Sequence, residues 1–146
     1  MADVYALEFV GGPDGTQQPP KKLDGRLVGA KKRRTRAAKP ATILNVGDRL
    51  YIGKLPQAGV LTLITGNTDT SLGTATLSIG TTAVPNKYVN ARTLTATDTP
   101  TALGPRASAS QLQPAASDED LWLTVGVAAI PANVVATIAW EYTIAN

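Results

Sequence analysis

From residue 41 onward, apolar and polar positions alternate in short runs separated by turn formers. Leu50 and Ile52 alternate before Gly53, Leu61 and Leu63 alternate within residues 59–65, and Leu77 and Ile79 do so within residues 74–80. Leu121, Leu123, Val125 and Val127 hold one face over four steps, with Trp122, Thr124 and Gly126 opposite. The last run is the cleanest: Ala136, Ile138, Trp140, Tyr142 and Ile144 alternate with Thr137, Ala139, Glu141 and Thr143. Successive side chains of a strand point to opposite faces, so each run predicts a strand with one face in a core. Gly66-Asn67-Thr68-Asp69 and Pro131-Ala132-Asn133 supply turns. Short strands with turn signals at this spacing predict an all-β chain, an antiparallel sandwich or barrel. Residues 86–96 read equally as a helical turn or a strand. Residues 97–117, with three prolines, read as a long loop with at most one weak strand.

The first forty residues differ. Tyr5, Leu7 and Phe9 alternate with Ala6 and Glu8, a short strand signal over residues 1–10. Residues 11–40 are rich in glycine, proline and cations, with Leu23, Leu27 and Val28 as the sizeable apolar groups. Such a stretch buries too little surface to offset the entropy of ordering it. It predicts an extended arm, of which 27–38 would turn helical on binding because Ala, Arg and Lys favour helices. The expected division is therefore an N-terminal strand and basic arm over residues 1–40 and a sandwich domain over residues 41–146.

Charge sharpens that division. Lys21, Lys22, Arg26, Lys31, Lys32, Arg33, Arg34, Arg36 and Lys39 face a single acid, Asp24, within residues 21–39, so the formal net charge of +3 conceals a strongly basic arm and a mildly acidic body. These nine cations are the candidate partner-binding residues. They suit the phosphates of a nucleic acid, with steeply salt-dependent binding, or an acidic protein surface along which the arm orders. The arm has no aromatic side chain on which bases would stack. Trp122, Trp140 and Tyr142 lie on predicted strands and are candidates for the core or for an oligomer interface.

Chemistry has little to work with. The chain holds no Cys and no His, which removes thiolate nucleophiles, disulfides, Cys-based zinc sites and the commonest general base. Five serines have no histidine to activate them. Asp118-Glu119-Asp120 offers oxygen ligands to a hard cation, but neighbouring side chains of a strand point apart and no calcium-loop spacing follows, so it reads as a charged turn before a strand. Gly47 to Lys54 lacks the phosphate-loop spacing, with Asp48 where a glycine belongs and Leu55 where Ser or Thr belongs. Neither catalysis, a cofactor nor a metal is expected. No apolar run approaches the roughly 18 residues of a membrane span, and residues 1–4 do not begin a secretory signal, so no membrane partner is expected either.

Over residues 48–146 the order of short motifs resembles small virion proteins of tailed bacteriophages, the head decoration, cement or minor structural proteins. The resemblance rests on Asp48 to Pro56 ending in Leu-Pro, Gly59 to Leu63, the Ser71-Leu72-Gly73 turn, a strand ending in Ile79-Gly80, Lys87-Tyr88, the Leu121 to Val125 strand and the closing Ala136 to Tyr142 strand. It implies a jelly-roll-like sandwich and a place in the virion without catalysis. The expected role is decoration and stabilisation of the capsid, with the major capsid protein as partner, self-association as a homo-oligomer (a trimer by preference) and assembly in the host cytoplasm. A tail, connector or fibre subunit, or a protein binding nucleic acid through its arm, are the rival expectations.

Overall fold

The computed structural model describes residues 31–110 and 114–144, and these form eight strands and one turn of helix. They are β1 (Lys31–Ala38), β2 (Arg49–Leu55), β3 (Val60–Thr68), β4 (Thr76–Gly80), β5 (Val89–Thr93), β6 (Thr101–Gly104), α1 (Ala107–Ser110), β7 (Glu119–Gly126) and β8 (Ala136–Ile144). Two four-stranded antiparallel sheets run in the orders β1-β8-β3-β6 and β2-β7-β4-β5. Every connection between described strands crosses between the sheets except β4–β5, which is the jelly-roll winding that the resemblance implies.

The core lies between the sheets. Ile52 and Leu55 of β2, Leu77 and Ile79 of β4 and Leu121, Leu123 and Val125 of β7 face Leu61 and Ile64 of β3, Leu103 of β6 and Ile138 and Trp140 of β8. Trp140 has no exposed surface, and its Nε1 donates a 2.9 Å hydrogen bond to the carbonyl of Ile52 in the opposite sheet. That carbonyl is available because β2 bulges between Tyr51 and Gly53, leaving Ile52 outside the ladder. Gly53 adopts φ +130°, and a Cβ there would stand 2.8 Å from the indole Cζ2 and 3.3 Å from Thr35 Cγ2. Glycine is therefore required where the two sheets close over Trp140.

The strand order departs from the sequence pattern at defined places. The cationic stretch 31–38 is a full strand on β8, neither an arm nor a helix, so the ordered sandwich begins before residue 41. Its inward residues Thr35 and Ala37 are half-buried at the edge of the core, which local helix propensity does not anticipate. The ambiguous stretch 86–96 contains β5, and the loop-like stretch 97–117 contains β6. A register shift between Leu61 and Leu63 turns Leu63 outward and brings Ile64 into the core. Val127 leaves the β7 alternation: it is 70% exposed with φ +68°. The expected strand over residues 1–10 and the division of residues 1–30 lie outside the described residues.

Candidate functional site

Among the described residues the densest charge is on β1, with five cations in eight residues and no acid. Its pairing with β8 is regular from Lys31↔Ile144 to Ala38↔Thr137. Just beyond, the N–H of Lys39 donates to the Ala136 carbonyl at 2.8 Å. In an antiparallel ladder, residues that exchange hydrogen bonds alternate with residues that do not. That one contact sets the phase: Lys31, Arg33, Thr35 and Ala37 bond to β8, while the N–H and C=O groups of Lys32, Arg34, Arg36 and Ala38 point away from it.

Side chains alternate with the same period. Arg34 lies opposite Glu141, on the face away from Trp140, so Lys32, Arg34 and Arg36 form a stripe on the outer face of the sheet, about 7 Å apart. Lys32 Nζ lies 3.5 Å from Glu141 Oε2, a buried oxygen that receives no hydrogen bond among the described residues. Lys31, Arg33, Arg34 and Arg36 are exposed and have no ion pair among the described residues. β1 is the end strand of its sheet, so the edge toward which Lys32, Arg34 and Arg36 turn their backbone carries no strand among the described residues.

The other expected cations divide. Lys39 Nζ donates to the carbonyls of Pro40, Thr42 and Ala132 at 3.0, 2.9 and 3.4 Å, tying the β1–β2 loop to the β7–β8 loop. It is a clamp within the fold. Lys21, Lys22 and Arg26 lie outside the described residues.

A second surface lies on the outer face of the other sheet. Tyr51 and Trp122 are cross-strand partners whose rings meet edge-on at 5.1 Å, and the Arg49 guanidinium sits 4.3 Å over the Trp122 ring. Arg49 Nη1 donates to Thr82 Oγ1 at 3.1 Å, and the Tyr51 hydroxyl donates to Asp120 Oδ1 at 3.0 Å. That hydrogen bond, with a smaller effect of desolvation and of the Asp120 charge, raises the Tyr51 pKa above its ordinary 10.0 and keeps the phenol a donor. Tyr51 remains 46% exposed. Of the three expected interface candidates, Trp122 is on this surface. Trp140 is sealed in the core and Tyr142 is half-buried against it, 5.4 Å from the Trp140 ring. Arg49 and Tyr51 were not among the candidates, because what joins them to Trp122 is the β2–β7 register.

The acidic run does not act as one group. Asp118 Oδ1 accepts the Gln57 N–H at 2.7 Å, Glu119 accepts Lys87 Nζ at 2.6 Å and the Tyr88 hydroxyl at 2.7 Å, and Asp120 accepts Tyr51. Burial first, then the hydrogen bond and charge of Glu119, push the Tyr88 pKa well up. The run borders an open cleft of about 340 Å³ with Thr81, Thr82, Ala83 and Ser117. Among the described residues no three acidic side chains converge as a metal site.

No protein-family model matches this chain, and no curated protein matches it significantly. Solved structures do. A chain of the cyanophage Pam1 capsid asymmetric unit aligns with TM-score 0.56 at 18% identity, over 79% of this chain and 84% of that chain. A chain from the capsid of Ralstonia phage GP4 aligns with TM-score 0.56 at 18% identity, over 80% and 85%. The chain shares their fold. The likeness spans most of both partners, so it concerns the whole sandwich and not a local motif.

Proposed function

We propose that this chain is a structural protein of a phage virion that decorates and stabilises the capsid, docking on neighbouring capsid subunits through the cationic edge strand β1 and the basic residues that precede it. The observation that carries the reading is the jelly roll itself, aligned over about four-fifths of the chain with chains of two phage capsids. The cations of β1 support the docking role. They are exposed, all but Lys32 lack an acidic partner among the described residues, and they sit on a paired strand, so binding them costs less ordering entropy than binding a free arm. The Arg49–Tyr51–Trp122 cluster supports self-association, because Trp, Tyr and Arg carry most of the binding energy at protein interfaces. Holding surfaces together, without catalysis, is the whole task in this reading.

The test is addition of the full chain to purified shells lacking it, followed by image reconstruction. Hundreds of copies ordered on the outer shell, lost when Lys32, Arg34 and Arg36 are changed together to Glu, are expected. Six or twelve copies at a vertex, or no binding, would overturn the reading, and binding to duplex DNA with a steep salt slope would favour the nucleic-acid alternative.

A further inference from the structure

In β1 the two period-two alternations coincide: the residues whose side chains carry charge on the outer face are those whose backbone faces the edge that carries no strand among the described residues. Lys32, Arg34 and Arg36 each present an N–H, a C=O and a cation to whatever lies beside the strand. β1 has no proline and no register shift; of the devices that close an edge to pairing it carries charge, which excludes like-charged strands but not acidic ones. A second β1 is a poor neighbour, because residues opposite one another in a ladder repel when their charges are alike.

We infer that this outer edge of β1 is a strand-addition site for an extended segment of a neighbouring capsid subunit that carries Asp or Glu at every second position. The inference rests on the shell-docking reading above and adds its mode. An incoming strand bonds to the outward N–H and C=O groups of Lys32, Arg34, Arg36 and Ala38. Residues directly opposite these in a hydrogen-bonded antiparallel pair have Cα atoms about 5.5 Å away and side chains on the same face. A carboxylate at each alternate position therefore meets a cation, while main-chain bonds contribute affinity whatever the intervening residues are. The charge selects the occupant: an acidic strand is admitted, whereas a basic one, including this chain's own β1, is rejected.

Amide hydrogen exchange on the full chain, free and bound to shells, tests this residue by residue. In the free chain the amides of Arg33, Thr35 and Ala37 are expected to exchange slowly and those of Lys32, Arg34 and Arg36 fast; on shells the second set slows at least tenfold. Two variants separate charge from backbone. Arg36→Gln weakens shell binding by a few-fold, chiefly at low salt. Arg36→Pro removes the same cation and also an outward N–H, at an edge position where proline is tolerated, and weakens binding by about a further tenfold. If Arg36→Pro fails to fold, the exchange pattern of the unaltered chain decides alone. Shell binding with Lys32, Arg34 and Arg36 amides still fast overturns strand addition and leaves docking intact. Slow exchange of these amides in the free chain means that the edge is already filled, by another part of the chain or, where it depends on concentration, by a second copy, and overturns the inference. Failure to bind shells overturns both readings.

Discussion

Replacing Gly53 with alanine tests how the sheets are closed over Trp140. The new methyl would lie 2.8 Å from Trp140 Cζ2, a distance real Cβ atoms do not adopt, and 3.3 Å from Thr35 Cγ2. Trp140 cannot retreat, because its ring has no exposed surface and its Nε1 is held by the Ile52 carbonyl at 2.9 Å. Overpacking of this kind costs roughly 1–3 kcal/mol. The φ of +130° adds a backbone cost, of order 1–3 kcal/mol for a non-glycine residue in a sparsely populated region. Gly73 provides the control: its φ is +63° and a Cβ there would meet nothing within 4 Å, so its alanine variant bears the backbone cost alone. Gly73 lies in the left-handed well and Gly53 beyond it, so the difference in urea midpoints reports the clash together with the extra backbone cost at φ +130°, with Gly53→Ala expected to lose at least about 1–3 kcal/mol more than Gly73→Ala. Trp140→Phe, which leaves the Ile52 carbonyl unpaired, should itself cost about 1–3 kcal/mol. Because the smaller ring makes room for the methyl, the double variant should be less damaged than the two losses combined. Equal midpoints for the two glycine variants, or strict additivity in the cycle, would refute the account.

Tyr88 sets a high-pH limit. Its pKa is raised in the folded chain, so its contribution is fully present below the unfolded value near 10 and is lost as pH rises through the folded value. Urea midpoints should decline from about pH 10 upward, by up to about 1.4 kcal/mol per pH unit for this one group, and Tyr88→Phe should flatten the decline. Lys39→Ala should lower thermal stability by about 1 kcal/mol through loss of its carbonyl contacts yet leave shell binding unchanged, the reverse of changing Lys32, Arg34 and Arg36 to Gln. Val127→Asn should raise the melting temperature, by about 0.5–1 kcal/mol in stability, because Asn tolerates positive φ better than a β-branched residue does and little burial is lost at this exposed site.

What was legible in the sequence follows from where each strand lies. The central strands carry inward rows of large side chains, Leu121, Leu123 and Val125 buried on β7 and Ile138 and Trp140 buried with Tyr142 half-buried on β8, and their alternation is plain to read. Edge strands have less to bury: β6 buries Leu103, β5 buries Val89, and β1 half-buries Thr35 and Ala37. Their pairing is decided by the neighbour and not by their own pattern, so β1 passed for an arm and β6 for a loop. Bulges broke the reading elsewhere, since one extra residue between Leu61 and Leu63 exchanges the faces of all that follows. The two tryptophans could have been told apart, because Trp122 is out of phase with Leu121, Leu123 and Val125 whereas Trp140 is in phase with Ile138. The cations were legible as a set. That Lys39 clamps loops while Lys32, Arg34 and Arg36 flank an edge depends on contacts across roughly a hundred residues of chain.

On the proposed reading, the placing of those cations resolves a conflict faced by a sandwich that docks on a shell. An open edge strand is a template for uncontrolled pairing, and burying it would forfeit a ready-made attachment point. On this reading charge guards the edge without covering it, because two β1 strands laid side by side would set cation against cation. The cost is modest here. Thr35 packs beside Gly53 opposite Trp140, Ala37 packs against the core, and the regular β8 ladder holds the backbone whether or not the far edge is filled. Neutralising Lys32, Arg34 and Arg36 should thus leave the fold in place while removing the barrier to self-pairing. The resulting chain would associate edge to edge, and a monodisperse neutral variant at high concentration would count against charge as the guard of this edge.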